Sequence, residues 1–143
     1  GGASRAIVYG MKERGAKVTI YNRTIESAQQ LAHEFDCRVH PIQDHQYILE
    51  SDIIINATSV GMGDLEDQSP IPENVLRKGQ IVFDIVYTPY ETELLKMAKR
   101  KGAHVIHGME MLLYQGTAQF ELYTGVKAPV EVMKKTLLNS FIS

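Results

Sequence analysis

The run Ile53-Ile54-Ile55-Asn56 restricts the fold more than any other part of the chain. An apolar stretch without alternation reads as a strand covered on both faces, the kind found inside a parallel sheet. A second buried strand follows from Ile81 to Val86, and shorter ones are expected at Val18 to Tyr21, Cys37 to His40 and Val105–Ile106. Between them the apolar spacing changes to that of helices. Ala3, Ala6, Ile7, Gly10 and Met11 share a face up to a stop at Gly15, and Ile25, Ala28, Leu31, Ala32 and Phe35 share another after an N-cap at Thr24. A weak helix is expected from Gln43 to Glu50, and a firmer one from Thr92 to Lys101, closed by Gly102. Gly61 and Gly63 break the pattern, and a polar loop carries Pro70 and Pro72. The last third is helical, from about Met109 to Tyr123 and from Pro129 to about Asn139.

Strands that alternate with helices in this way predict an α/β layer structure with a mostly parallel sheet and right-handed crossovers. A chain of 143 residues is long enough for one domain with its own core. No repeat or low-complexity linker divides it. A formal charge of -2 and 22% charged residues argue against a surface dedicated to nucleic acid or to acidic membranes. The single cysteine, Cys37, cannot form an internal disulfide. With no signal peptide and no long apolar span, the expected place is the cytoplasm.

Ligands of such folds bind at the carboxyl ends of the strands. The loops to read for chemistry are therefore Gly1 to Ser4, Asn22 to Thr24, Thr58 to Gly63, Tyr87 to Pro89, and His107 with Gly108. Two glycines and an alanine at a helix start offer bare N–H groups and the positive end of the helix dipole to a pyrophosphate. About one strand later a dinucleotide fold reads the adenosine ribose, where a carboxylate selects NAD and an arginine accommodates the 2'-phosphate of NADP. Here Asn22-Arg23-Thr24 contains no acid, which favours NADP. The competing reading is a tight glycine turn with Arg23 as a solvated surface charge.

Five blocks, GGASRA, YNRT, INATSVGM, FDIVYTPYET and HGMEMLLYQGTAQFELYTG, occur in the order and approximate spacing of shikimate dehydrogenases. The chain resembles the C-terminal, NADP-binding domain of that family over nearly its whole length. The resemblance implies a Rossmann-like doubly wound parallel sheet followed by C-terminal helices, the segment from about 109 to 143 packing toward an N-terminal substrate domain.

By the same resemblance, Gly1, Gly2 and Ala3 end a family loop that reads Gly-Ala-Gly-Gly-Ala, and Ser4 takes the third small position of the fingerprint. Asn22, Arg23 and Thr24 match the NADP-selecting Asn-Arg-Thr. Ser27 stands where many members carry a second basic residue, so the phosphate clamp would rest on Arg23 alone. Thr58, Ser59 and Val60 would run beside the cofactor's ribose and nicotinamide. The Ile85 backbone would touch the nicotinamide side, Gly108 would approach its carboxamide and Met111 would pack near the ring. Tyr87 and Gln115 would reach substrate, against the plain alternatives of a core tyrosine and an exposed glutamine. Tyr123 replaces the family's usual tryptophan.

The five histidines, His33, His40, His45, His104 and His107, have no metal-ligand spacing and read as surface or loop residues. Glu66, Asp67, Glu91 and Glu93 read as solvated charges. No metal is expected. The reaction implied is reversible hydride transfer between NADPH and 3-dehydroshikimate to give shikimate. Its acid–base pair, a lysine and an aspartate in the resembled family, belongs to the N-terminal domain, so no catalytic residue is assigned in this chain. The expected partners are that upstream domain and the small-molecule substrate, in a monomer or a homodimer. The first strand of the sheet is expected upstream as well, leaving a slot between Val18–Tyr21 and Ile53–Asn56. A quinate-using enzyme, a bifunctional dehydratase–dehydrogenase and a non-catalytic NADP-binding module are the alternatives.

Overall fold

The computed structural model describes residues 1–142. They form two compact units, Gly1–Gln46 and the chain from Tyr47 onward, each built of parallel strands and covering helices. The first unit comprises α1 (Gly2–Glu13), β1 (Thr19–Asn22), α2 (Ile25–Phe35) and β2 (Arg38–Pro41). β1 and β2 pair in parallel with Thr19 opposite Arg38 and Asn22 opposite Pro41. The second unit contains β3 (Ile53–Asn56), β4 (Ile81–Asp84), α3 (Glu93–Arg100), β5 (His104–Ile106), α4 (Gly108–Thr124) and α5 (Val130–Ile142). Its sheet has the order β3-β4-β5, all parallel, with Asn56 opposite Asp84 at the carboxyl end. Among the described residues β1 is bonded only to β2 and β3 only to β4.

The expected alternation of elements is present, with boundaries moved by a residue or so. β4 stops at Asp84, two residues before the expected end, because the Asp84 carboxylate takes the Val86 N–H out of the ladder. Gln43 to Glu50 is a series of turns rather than the expected weak helix. Asp44 is the physical reason. Its Oδ1 accepts the Gln46 N–H at 3.2 Å and its Oδ2 faces His40 Nδ1 at 3.0 Å, so the side chain competes for the backbone a helix would need.

The two units differ in depth of core. In the first, Val8, Ala28 and Ala32 are buried, and α1 meets α2 through an edge-on Tyr9–Phe35 pair (6.3 Å), an Arg5–Glu34 ion pair and a Lys12 Nζ bond to the Asp36 carbonyl at 2.9 Å. In the second, Val82, Leu94, Leu95, Ala98, Met109 and Leu113 are essentially sealed, each large side chain contributing about 1.5–3 kcal/mol of hydrophobic stabilisation. Gln80 is sealed with them. Its amide ties the start of β4 to the preceding segment, donating to the carbonyls of Ile48 and Ser51 at 3.0 Å while its oxygen accepts the Arg77 N–H at 2.8 Å. No helix among the described residues is long and apolar enough to cross a membrane.

Candidate functional site

In the first unit the candidate residues stand at two points, the start of α1 and the end of β1. Gly1 is the N-cap of α1 and supplies no side-chain cap; the first intrahelical bond runs from the Arg5 N–H to the Gly1 carbonyl at 3.2 Å. The N–H groups of Gly2, Ala3 and Ser4 therefore lack a partner within the helix, as those of every first helical turn do. Gly1 and Gly2 are exposed, with open space where a side chain would stand. Bare backbone at a helix start can be approached closely by an anion. After β1, the Asn22 side chain folds its own loop: Oδ1 accepts the Arg23 N–H at 3.0 Å and Nδ2 donates to the Thr24 carbonyl at 2.9 Å. Thr24 occupies the expected N-cap of α2 but makes no capping bond. Arg23 is exposed. No hydrogen bond or ion pair of its guanidinium occurs among the described residues, whereas Arg5, Arg77 and Arg100 are all engaged. A fixed loop thus carries a free, planar, always-charged fork, suited to a phosphate.

In the second unit the candidates gather where β3 and β4 end and α4 begins. Thr58 and Ser59 are exposed, while Val60 and Ile85 are half-buried. Tyr87 is 45% exposed, so it is not a core residue, and its ring meets Phe141 edge-on at 6.4 Å. Met111 is half-buried on α4. Gln115 lies on the same helix but is exposed, so its amide has water for a partner and burial creates no demand for a ligand there. Gly108 is buried. A Cβ at this position would lie 2.6 Å from the Ile85 carbonyl oxygen and the Val86 carbonyl carbon and closer still to the Val86 oxygen. The missing side chain lets the first turn of α4 press directly on the backbone leaving β4.

Beneath these loops lies a buried polar network that sequence reasoning did not single out. Asp84 is fully buried. Its Oδ1 accepts from Asn56 Nδ2 and from the Val86 N–H, both at 3.0 Å, and its Oδ2 accepts the Thr92 hydroxyl at 2.7 Å. Asn56 in turn donates to the Val60 carbonyl at 3.0 Å and accepts from the Thr58 N–H and hydroxyl at 3.1 and 2.7 Å. Thr92 caps α3 by accepting the Leu95 N–H. Gly61, held at a φ of +102° that other residues rarely adopt, lets the Thr58–Gly63 loop lie against Thr92. Burial pushes the Asp84 carboxyl above its ordinary value, and the hydrogen bonds from Thr92, Val86 and Asn56 pull it back. The available signal was the ladder itself, since two apolar strands each end in a polar residue and those residues are register partners.

His107, expected as a surface or loop residue, is largely covered and stacks on Tyr90 at 4.3 Å, with Nε2 3.6 Å from Glu91 Oε1, too far for a hydrogen bond. Glu91 and Glu93, expected as solvated charges, are half-buried and paired, Glu91 with Lys99 and Glu93 with Lys96 and Arg100. No group of three or more potential metal ligands occurs among the described residues.

The sequence model of the shikimate / quinate 5-dehydrogenases matches residues 1–88, and that of the shikimate 5'-dehydrogenase C-terminal domain matches residues 108–138. The chain belongs to the shikimate / quinate 5-dehydrogenase family. Among curated family members, the shikimate dehydrogenase (NADP(+)) of Methanosarcina acetivorans is 41% identical over 148 residues, covering 98% of this chain and 53% of its own length. Two solved members share the fold. Shikimate 5-dehydrogenase from Thermus thermophilus, in complex with NADP(H) and shikimate, superposes with a TM-score of 0.88 at 34% identity, over 97% of this chain and 52% of its own. Quinate dehydrogenase from Corynebacterium glutamicum, in complex with NAD, superposes at 0.90 with 28% identity, over 97% and 52%. The chain spans about half the length of the curated shikimate dehydrogenases it matches. Its parallel strands with covering helices are the Rossmann-like α/β arrangement of that family.

Proposed function

We propose that this chain is the cofactor-binding domain, over residues 1–143, of an NADP-dependent shikimate dehydrogenase that interconverts 3-dehydroshikimate and shikimate. The observation that carries the reading is Arg23: an exposed guanidinium with no partner among the described residues, on a loop braced by Asn22, at the end of β1, with no carboxylate beside it. That arrangement discriminates in favour of a 2'-phosphate and against a ribose hydroxyl pair. The uncapped start of α1, with Gly1, Gly2, Ala3 and Ser4, supplies backbone N–H donors for the pyrophosphate. Thr58, Ser59, Val60, Ile85, Gly108 and Met111 line the nicotinamide side, and Tyr87 and Gln115 face the substrate. The NADP(+) in the names of the curated relatives, and the NADP(H) and shikimate bound in the Thermus thermophilus enzyme, support the choice of cofactor and substrate.

Bound NADPH supplies the hydride; this chain binds it, orients it and presents Tyr87 and Gln115 to a hydroxylated ring. No residue of the chain is assigned to proton transfer. That step falls to the acid–base pair of an N-terminal domain, and the enzyme works as a soluble cytoplasmic protein.

Titrating the protein with NADP and NAD, before and after Arg23→Ala, tests the reading. NADP should bind at least tenfold more tightly, about 1.4 kcal/mol, and the substitution should erase that difference while leaving NAD affinity nearly unchanged. Equal affinities in the unmodified protein, or a preference that survives the substitution, would sink it.

A further inference from the structure

We infer that Asp84 is an electrostatic positioning residue that favours the oxidised over the reduced nicotinamide, acting as a buried anion fixed under the loop that faces the ring. The inference rests on the cofactor reading above and adds a role for a side chain which that reading leaves unused.

Three donors converge on Asp84, from Asn56, Val86 and Thr92, and no basic side chain among the described residues pairs with it. All three give hydrogen to the carboxylate, which is the arrangement an ionised acceptor requires. The group is fully buried, so its field is screened less than that of a surface charge. Its placement is equally specific. Asp84 is the last residue of β4, and the residues that follow it are Ile85, whose backbone is assigned to the nicotinamide, and Val86, whose N–H it holds. Through Asn56 it is joined to Thr58 and Val60, the other loop assigned to that end of the cofactor. The start of α3, which Thr92 caps, offsets part of the charge but not the whole of it.

The nicotinamide ring carries a unit positive charge when oxidised and none when reduced. An anion at the carboxyl end of β4 therefore interacts with one form and not with the other. For a unit charge roughly 10 Å away and an effective dielectric of about 25–50, between the protein value of about 20 and that of water, the binding of a monocation changes by roughly threefold to tenfold. A side chain that served only to brace the loops would weaken both forms alike when altered, because both need the same loops.

The test is calorimetric titration of the protein with NADP+ and with NADPH, in the unmodified form and as Asp84→Asn, with folding checked by circular dichroism. In Asp84→Asn the amide oxygen can still accept from Asn56 and Val86 while its NH2 faces Thr92, so the charge goes and the loops stay. The affinity ratio of NADP+ to NADPH should fall by about threefold to tenfold. Thr92→Val, which keeps the charge and loses one bond, should leave the ratio where it was. Asp84→Ser removes the charge with less bulk, must show the same fall, and carries the test where Asp84→Asn does not fold. Both nucleotides binding with a ratio that Asp84→Asn and Asp84→Ser leave unchanged would overturn the inference and leave the cofactor reading standing. Failure of either nucleotide to bind the unmodified protein would instead overturn the cofactor reading, and this inference with it.

Discussion

Two glycines of α4 should respond to alanine with opposite signs, and the contrast isolates what the first of them does. At Gly108 the added methyl would sit 2.6 Å from the Ile85 oxygen, where ordinary contacts begin near 3.4 Å, and every neighbour is backbone. The helix start or the loop after β4 must then move by several tenths of an ångström. Overpacking of this kind costs typically 1–3 kcal/mol, and at the first position of a helix the intrinsic gain of alanine over glycine, at most about 1 kcal/mol, offsets little of it. We expect a loss of about 2 kcal/mol, which for a unit of this size lowers the melting temperature by roughly 8 °C. At Gly116, in the middle of the same helix, the new methyl meets only the Met133 Cε at 3.5 Å, an ordinary contact with a flexible side-chain end. Gly116→Ala should therefore stabilise by about 0.5–1 kcal/mol. Thermal melts of both variants by circular dichroism, with NADP+ titrations alongside, decide it. Gly108→Ala should also weaken the cofactor, since the displaced segment carries Ile85. If Gly108→Ala melts no lower than the parent, the close approach of α4 to the β4 backbone is not there, and the account of this helix start fails.

Two further outcomes follow from side chains outside the loops. Gln80→Ala removes one acceptor and one donating amide from a sealed position, stranding the Arg77 N–H and loosening the carbonyls of Ile48 and Ser51. A loss of about 2–4 kcal/mol in urea denaturation is expected, and a loss under 1 kcal/mol would mean that water reaches the site. Glu73 is held below its ordinary value of 4.5 by the Arg100 guanidinium, which meets both of its oxygens at 3.1 and 3.2 Å. A depressed carboxyl stabilises the fold above its unfolded value and loses that contribution as pH falls through the folded one. Glu73→Gln should therefore be the less stable protein near neutrality, and the gap should close on acidification below about 4.5. Because the pair is exposed, the gap should also shrink in high salt; a gap that is constant from neutral to acid pH would show that the pair is not the cause.

Much of this molecule is legible in its sequence where periodicity and burial agree. Ile53–Asn56 is a parallel strand as expected but is not covered on both faces, since Ile53 is exposed and only Asn56 is buried, and Ile25–Phe35 is a helix because its apolar residues recur on one face. Arg23 stands exposed just after β1, the position the sequence expects for it. Gln43 to Glu50 was misread because Asp44 acts on its own backbone, a local competition that spacing does not register. Gln115 is exposed on α4, the plain alternative to a substrate-facing amide, and helical spacing alone does not say which flank is covered. Asn56, Asp84 and Thr92 were passed over for a third reason. They are separated by 28 and 8 residues, and only the ladder that sets Asn56 opposite Asp84 makes them one group.

That network also shows where stability and function pull apart. Asp84 has a raised carboxyl, so its ionisation opposes the fold: the stability it lends is complete below its ordinary value of 3.8 and is lost as pH rises through the folded value. A leucine or valine would fill such a place at less expense of desolvation. What an apolar residue lacks is the capacity to hold the Val86 N–H, the Asn56 amide and the Thr92 hydroxyl at once. With those three bonds the loop after β3, the loop after β4 and the start of α3 are fixed to one carboxylate. Without them each loop would have to satisfy its own backbone, and Ile85 and Tyr87 would lose their common reference to Thr58 and Val60. The unfavourable ionisation is thus confined to the one end of the sheet where several loops must be held in register.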